Sequence, residues 1–125
     1  MVTESNLRRL GAEMLILLRR RDAVLDVFLL PHAEIKAIKA KFIKKKTEPN
    51  VLAFPEPRHF PHPERAKKYL GEVYLNKDIL RKNPERSAPL LLHGILHLLG
   101  YDHIKKSQRT AMETLEEKIL RLLER

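Results

Sequence analysis

The stretch Leu90-Leu91-Leu92-His93-Gly94-Ile95-Leu96-His97-Leu98-Leu99-Gly100-Tyr101-Asp102-His103 decides how this chain folds. It is the most apolar segment of a heavily charged sequence, yet it carries His93, His97 and His103. From Ala88 to about Leu99 it reads as a core helix, and Gly100 stands where a left-handed C-cap would close it. Residues four apart on a helix share a face, so His93 and His97 direct their imidazoles at one point. The chain can then turn through Tyr101 and Asp102 and return His103 to that point. A single histidine on an apolar helix is usually a core residue bonded to a carbonyl. Three at this spacing, with a glycine at the turn, point to metal ligation.

Three nitrogen ligands with open positions suit a catalytic zinc rather than a closed structural one. The spacing His-x-x-x-His-x-x-Gly-x-x-His coincides with that of zinc metalloproteases at each ligand and at the glycine. Their general base is a glutamate that would fall at position 94, where this chain has Gly94. Peptide hydrolysis by that route is therefore not expected. Asp102 reads three ways: a carboxylate supporting the ligands, an added polar group in the site, or a former of the turn. Tyr101 is expected to pack under the turn. His32, His59 and His62 show no convergent spacing and read as surface residues.

Outward from this segment the pattern alternates between helix and strand. Leu7, Leu10, Met14, Leu17 and Leu18 recur at helical steps from Ser5 to about Arg20, with Ser5 as the expected N-cap and the arginines on a solvated face. Val24 to Leu30 is a β-rich run stopped by Pro31. Ala33 to about Lys44 returns to helical spacing and closes on Lys44-Lys45-Lys46, where cations suit the helix dipole. Val51 to Phe54 reads as a short strand, and Tyr69 to Leu75 as a second one, antiparallel to it across a proline-rich loop. Gly71 in its middle suggests a bulge or a close backbone approach. Asn76 can cap a short turn, Lys77 to Lys82, and an amphipathic helix fills Lys105 to Leu123. The expected fold is a single α+β domain over residues 1–125, a small mixed sheet packed with helices around the histidine-bearing one.

Composition narrows the chemistry. The chain has no cysteine, which excludes disulfides and thiolate metal sites and leaves His, Asp and Glu as ligands. Lys and Arg outnumber Asp and Glu by 25 to 16, a formal charge of +9. That balance suits a polyanionic partner such as RNA, DNA or an anionic membrane surface, though it also serves plain solubility. No apolar run approaches the ~18 residues of a membrane span. Met1 to Ser5 shows no basic leader, so a cytoplasmic protein is expected.

The run from His93 to His103 resembles the signature of the YbeY family, bacterial metal-dependent endoribonucleases. Asn50-Val51-Leu52-Ala53-Phe54-Pro55 is similar to the family's Asp/Asn-Val-Leu-Ser-Phe-Pro strand, and Leu70-Gly71-Glu72-Val73 to its Leu-Gly-Asp-Ile strand. The resemblance implies one zinc ion held by His93, His97 and His103. It also implies action in ribosomal RNA maturation, at the 3′ end of the small-subunit RNA above all, and in ribosome quality control. Its implied partners are RNA, the small ribosomal subunit and assembly factors, with no membrane or DNA role.

The chain departs from the family in two places. Family members carry an arginine upstream of the first strand; here that position is Ile43, or Lys44 if one residue is deleted near Pro49. Lys44, Lys45 and Lys46 keep the region positive and are the expected RNA contacts, without arginine's bidentate fork. Ala53 replaces the usual serine. Two other functions stay open: a ribosome-assembly protein that binds RNA around a structural metal, and a metal-dependent hydrolase of another substrate such as a peptide or ester. Three imidazoles also accept nickel, cobalt or copper.

Overall fold

A computed structural model describes residues 1–42, 49–56, 67–101 and 105–124, with Phe42 described in its backbone alone. Its axis is helix α4, Ser87–Leu98, which buries Leu90, Leu91, Leu92, Gly94, Ile95, Leu96 and Leu98. Apolar residues on nearly every side leave such a helix no stable place except the interior.

The sheet beside it holds β1 (Ala23–Leu30), β2 (Val51–Pro55) and β3 (Lys68–Asn76) in the order β1-β3-β2. β1 runs parallel to β3 and β2 antiparallel to it, so the sheet is mixed, as expected. Helices α1 (Glu4–Leu17) and α5 (Lys106–Leu123) join α4 in one core, where Leu7, Met14, Met112 and Ile119 meet Val27, Val73 and Leu75. Helix α2 (His32–Phe42) packs on β2 and β3, with Ile35 and Leu52 buried outside that core. A short α3 (Lys77–Lys82) and a 3-10 turn, Pro84–Arg86, lead into α4. Among the described residues no helix is long and apolar enough to cross a membrane.

The contact between α4 and the sheet has a local cause. A Cβ on Gly94 would stand 2.8 Å from Val73 Cγ1 and 3.2 Å from Val51 Cγ2. Glycine at this position lets the helix seat directly on β3 and β2. Position 94 thus faces packed valines, and a glutamate there has no room.

Both glycine and asparagine expectations for β3 hold. Gly71 has φ +136°, and a Cβ on it would meet the Phe54 carbonyl oxygen at 2.2 Å. Between Val24↔Tyr69 and Asp26↔Glu72 the register gains a residue on β3, a bulge at Leu70 and Gly71 that turns both inward. At the other end of β3, fully buried Asn76 caps α3, its Oδ1 accepting from the N–H groups of Asp78 and Ile79 at 3.0 and 3.1 Å. Its Nδ2 faces His32 Nδ1 at 2.9 Å and Asn50 Oδ1 at 3.2 Å. The donors and lone pairs of that amide are thereby filled, the condition on which a buried polar group is tolerated. His32 is exposed, as expected, and one ring nitrogen serves this joint.

Two expectations at α1 need correction. Its N-cap is Thr3 rather than Ser5, for the Thr3 hydroxyl accepts the Asn6 N–H at 3.0 Å while Ser5 is already helical. It stops at Leu17 rather than near Arg20, because Arg19 adopts φ +61°. The Arg19 N–H then donates to the Ile16 carbonyl at 3.0 Å, and the Arg20 N–H to that of Leu15 at 2.7 Å. α4 closes the same way: Gly100, at φ +103°, donates to His97 and Tyr101 to Leu96, both at 3.0 Å. These paired bonds satisfy carbonyls that a helix end otherwise leaves open. The expected closure of α2 on Lys44 to Lys46, and the loop with His59 and His62, lie outside the described residues.

On the sheet face away from α4, the rings of Phe28 and Phe54 flank Tyr74 with centroids 5.3 and 5.6 Å from it. The Tyr69 hydroxyl donates to Asp26 Oδ2 at 2.7 Å, and burial with that bond raises its pKa far above the ordinary phenol range. Burial and Glu72 push Tyr74 upward as well.

Two measurements test this account. Gly94→Ala should destabilise the fold by about 1–3 kcal/mol in urea titration, and adding Val73→Ala should recover part of the loss by making room. Phenols that keep their protons longer when folded contribute stability that is complete below pH ~10 and is lost as pH rises beyond it. Thermal stability should therefore fall above pH ~10, and Tyr69→Phe should flatten that fall.

Candidate functional site

Helix α4 places His93 and His97 one turn apart, as their spacing predicts. Their Nε2 atoms stand 3.2 Å from each other, and the rings meet edge to face at 73°. Behind them, His93 Nδ1 lies 3.2 Å from Glu116 Oε2 on α5. Both members of that pair are largely withdrawn from water, with 14% of the His93 side chain and 22% of the Glu116 side chain exposed.

The geometry dictates how the protons sit. A carboxylate accepts, so His93 carries its hydrogen on Nδ1 and turns the Nε2 lone pair toward His97. A carboxylate behind an imidazole fixes ring orientation and tautomer. The two Nε2 atoms can share one proton, or present both lone pairs to a single electrophile.

Glu116 was not among the residues singled out from the sequence, although a signal for it exists. It lies four residues after Met112 and three before Ile119, both buried, and so falls on the inner stripe of α5. Its neighbours Glu113 and Glu117 are exposed. A carboxylate at helical spacing within an apolar stripe needs a polar partner inside the fold.

The other expected site residues, His103, Asp102 and Lys44, Lys45 and Lys46, lie outside the described residues. Among the described residues no three His, Cys, Asp or Glu side chains gather into a metal-holding group. Tyr101 is half-buried against the core, as its place in the turn suggests. The segments Asn50–Pro55 and Leu70–Val73 include the valines on which Gly94 rests, so three separated motifs converge beneath the histidine pair.

Comparison with known proteins agrees with that convergence. The family described as Endoribonuclease YbeY matches residues 3–124, nearly the whole chain. The chain belongs to the YbeY family. Proteins named endoribonuclease YbeY include one from Nitrobacter hamburgensis, 34% identical over 109 residues that cover 79% of this chain and 57% of that protein. One from Wigglesworthia glossinidia brevipalpis is 36% identical over 112 residues, covering 82% of this chain and 72% of its own length. One from Legionella pneumophila (strain Corby) is 34% identical over 111 residues, covering 81% and 68%. Membership in YbeY makes the histidine pair, with Glu116 behind it, the foremost candidate site.

The proton placement can be checked directly. In 15N-detected spectra of the imidazoles, His93 should appear as the Nδ1–H tautomer, and Glu116→Ala should let the Nε2–H form appear.

Proposed function

We propose that this protein is a zinc-dependent, single-strand-preferring endoribonuclease. It acts in ribosomal RNA processing, at the 3′ end of the small-subunit RNA, and in ribosome quality control. Its partners are ribosomal RNA, the small subunit and assembly factors, and its place is the cytoplasm. The observation that carries this function is the His93–His97 pair with Glu116 behind it, in a chain of the YbeY family.

The donor set fits zinc. Two Zn–N bonds of about 2.0–2.1 Å at a tetrahedral angle span roughly 3.3 Å between nitrogens, and the two Nε2 atoms stand 3.2 Å apart. His93 offers Nε2 because Glu116 occupies Nδ1. His93, His97 and His103 would hold the ion, leaving a position open. When bound, zinc supplies Lewis acidity toward a phosphoryl oxygen and makes water nucleophilic near neutral pH.

The chain's own residues supply the rest. Glu116 keeps the His93 ring from rotating. Lys44, Lys45 and Lys46 would hold phosphates as point charges. Position 94 cannot house a base, because it rests on Val73 and Val51. Proton transfer therefore falls to Asp102, to solvent or to the RNA 2′-hydroxyl.

Metal analysis of the purified protein beside cleavage of a defined rRNA fragment tests this function. His97→Ala should lose bound zinc and cleavage together, and Glu116→Gln should weaken zinc binding by about 10–100-fold. Full cleavage by a metal-free preparation would overturn the metal mechanism. RNA binding by the native chain without cleavage above the His97→Ala background would leave a binding protein instead.

A further inference from the structure

Two helices end beside each other with the same backbone closure, Arg19 at the left-handed position of α1 and Gly100 at that of α4. Between these ends and the middle of α5 lies a groove of about 350 Å3 lined by Leu17, Leu99, Leu115, Tyr101, Arg19 and Lys118, among others. The leucines and Tyr101 are half-buried, whereas Arg19 and Lys118 are exposed. No acid lines it. Tyr101 also borders a second hollow of about 360 Å3 with Ser107 and Gln108, so its ring stands between two openings.

The positive charge continues beyond the groove. Arg20 lines both it and a third hollow of about 230 Å3, where Arg8, Arg21 and Lys67 are found and again, among the described residues, no acid. Arg8 is paired with Glu4 and Arg20 with Asp22, at 3.7 and 3.1 Å. Arg19, Arg21, Lys67 and Lys118 have no carboxylate partner among the described residues.

Arg19 carries an independent signal. α4 places glycine at the left-handed position, the residue that adopts it without strain. α1 places arginine there, a side chain for which that backbone is unfavourable. Such outliers persist where the surroundings make use of them, and this one borders the groove.

Unpaired cations beside an apolar floor and an aromatic ring suit a ligand whose charges repeat along a chain with a flat group between them. That is single-stranded nucleic acid. An acidic polypeptide would satisfy the cations but leave the ring without a partner. We propose that the groove between the ends of α1 and α4 is a nucleotide subsite for single-stranded RNA, with a base against Tyr101 and phosphates at Arg19 and Lys118. The strand continues past Arg20 toward Arg21 and Lys67. The proposal rests on the RNA-cleaving function above and adds where the strand is held.

Fluorescence anisotropy with a short labelled single-stranded RNA, repeated over a salt series, tests it. Arg19→Gly and Lys118→Ala should each weaken binding several-fold and reduce the log–log salt slope by about 0.7, the value of one phosphate contact on a single strand. Arg19→Gly should melt at a Tm no lower than the native chain, since the strained position is relieved, and Arg19→Lys should keep the slope. Tyr101→Leu should weaken binding by about tenfold with the slope unchanged. Native RNA binding with unaltered slopes in Arg19→Gly and Lys118→Ala overturns the subsite and leaves the proposed function standing. Failure of the native chain to bind RNA at all overturns both. Equal losses of affinity for poly-glutamate identify a general anion patch and overturn the nucleotide assignment.

Discussion

A missing side chain holds this domain together. Because Gly94 has no Cβ, α4 settles onto Val73 and Val51 with no atom to spare, and that seat fixes the rotation of the helix about its axis. Close-packed interiors do not deform continuously, so fixing the rotation also fixes the direction in which His93 and His97 leave the helix. The leucines on either side fill the core shared with α1 and α5, and Glu116 meets His93 only because α5 packs at that same azimuth. The chemistry of the site is thus set by an apolar contact on the neighbouring face of the same helix.

Polar groups fix what apolar packing leaves free. Apolar surfaces tolerate sliding, whereas a buried amide with every position filled does not. Asn76 ties the end of β3 to Asn50 before β2, to His32 after β1 and to the first turn of α3. At the opposite end Gly71 accepts the close approach of the β2 backbone and absorbs the extra residue of the bulge. The strands beneath α4 are therefore pinned at both ends, and the valines that receive Gly94 cannot shift in register.

Much of this was legible in the chain because it is local. The apolar run and the four-residue spacing define α4 and its histidine pair, Gly100 marks its end, and Asn76 announces the cap that follows. Most of what escaped depends on partners distant in sequence. Thr3 caps α1 in place of Ser5 through the nearby Asn6 N–H, a choice between two neighbouring hydroxyls, whereas Glu4 on the first turn accepts the Leu29 N–H of β1 at 2.8 Å, a tie invisible in either segment alone. The parallel pairing of β1 with β3 joins strands with α2 and β2 between them. Gly94 read as an absent base, since its packing role exists only once Val73 and Val51 are brought beneath it. Glu116 was half-legible, a carboxylate on a buried stripe whose partner lies one helix away.

The phenol bonds on the sheet face away from α4 bear on the pairing of β1 with β3. Asp26 and Glu72 are partners in the strand register and are engaged by Tyr69 and Tyr74 on that face. Carboxylates directly opposite each other on neighbouring strands repel. With a phenol turned toward each of them, β1 and β3 hold two acids side by side in register without that repulsion acting unopposed.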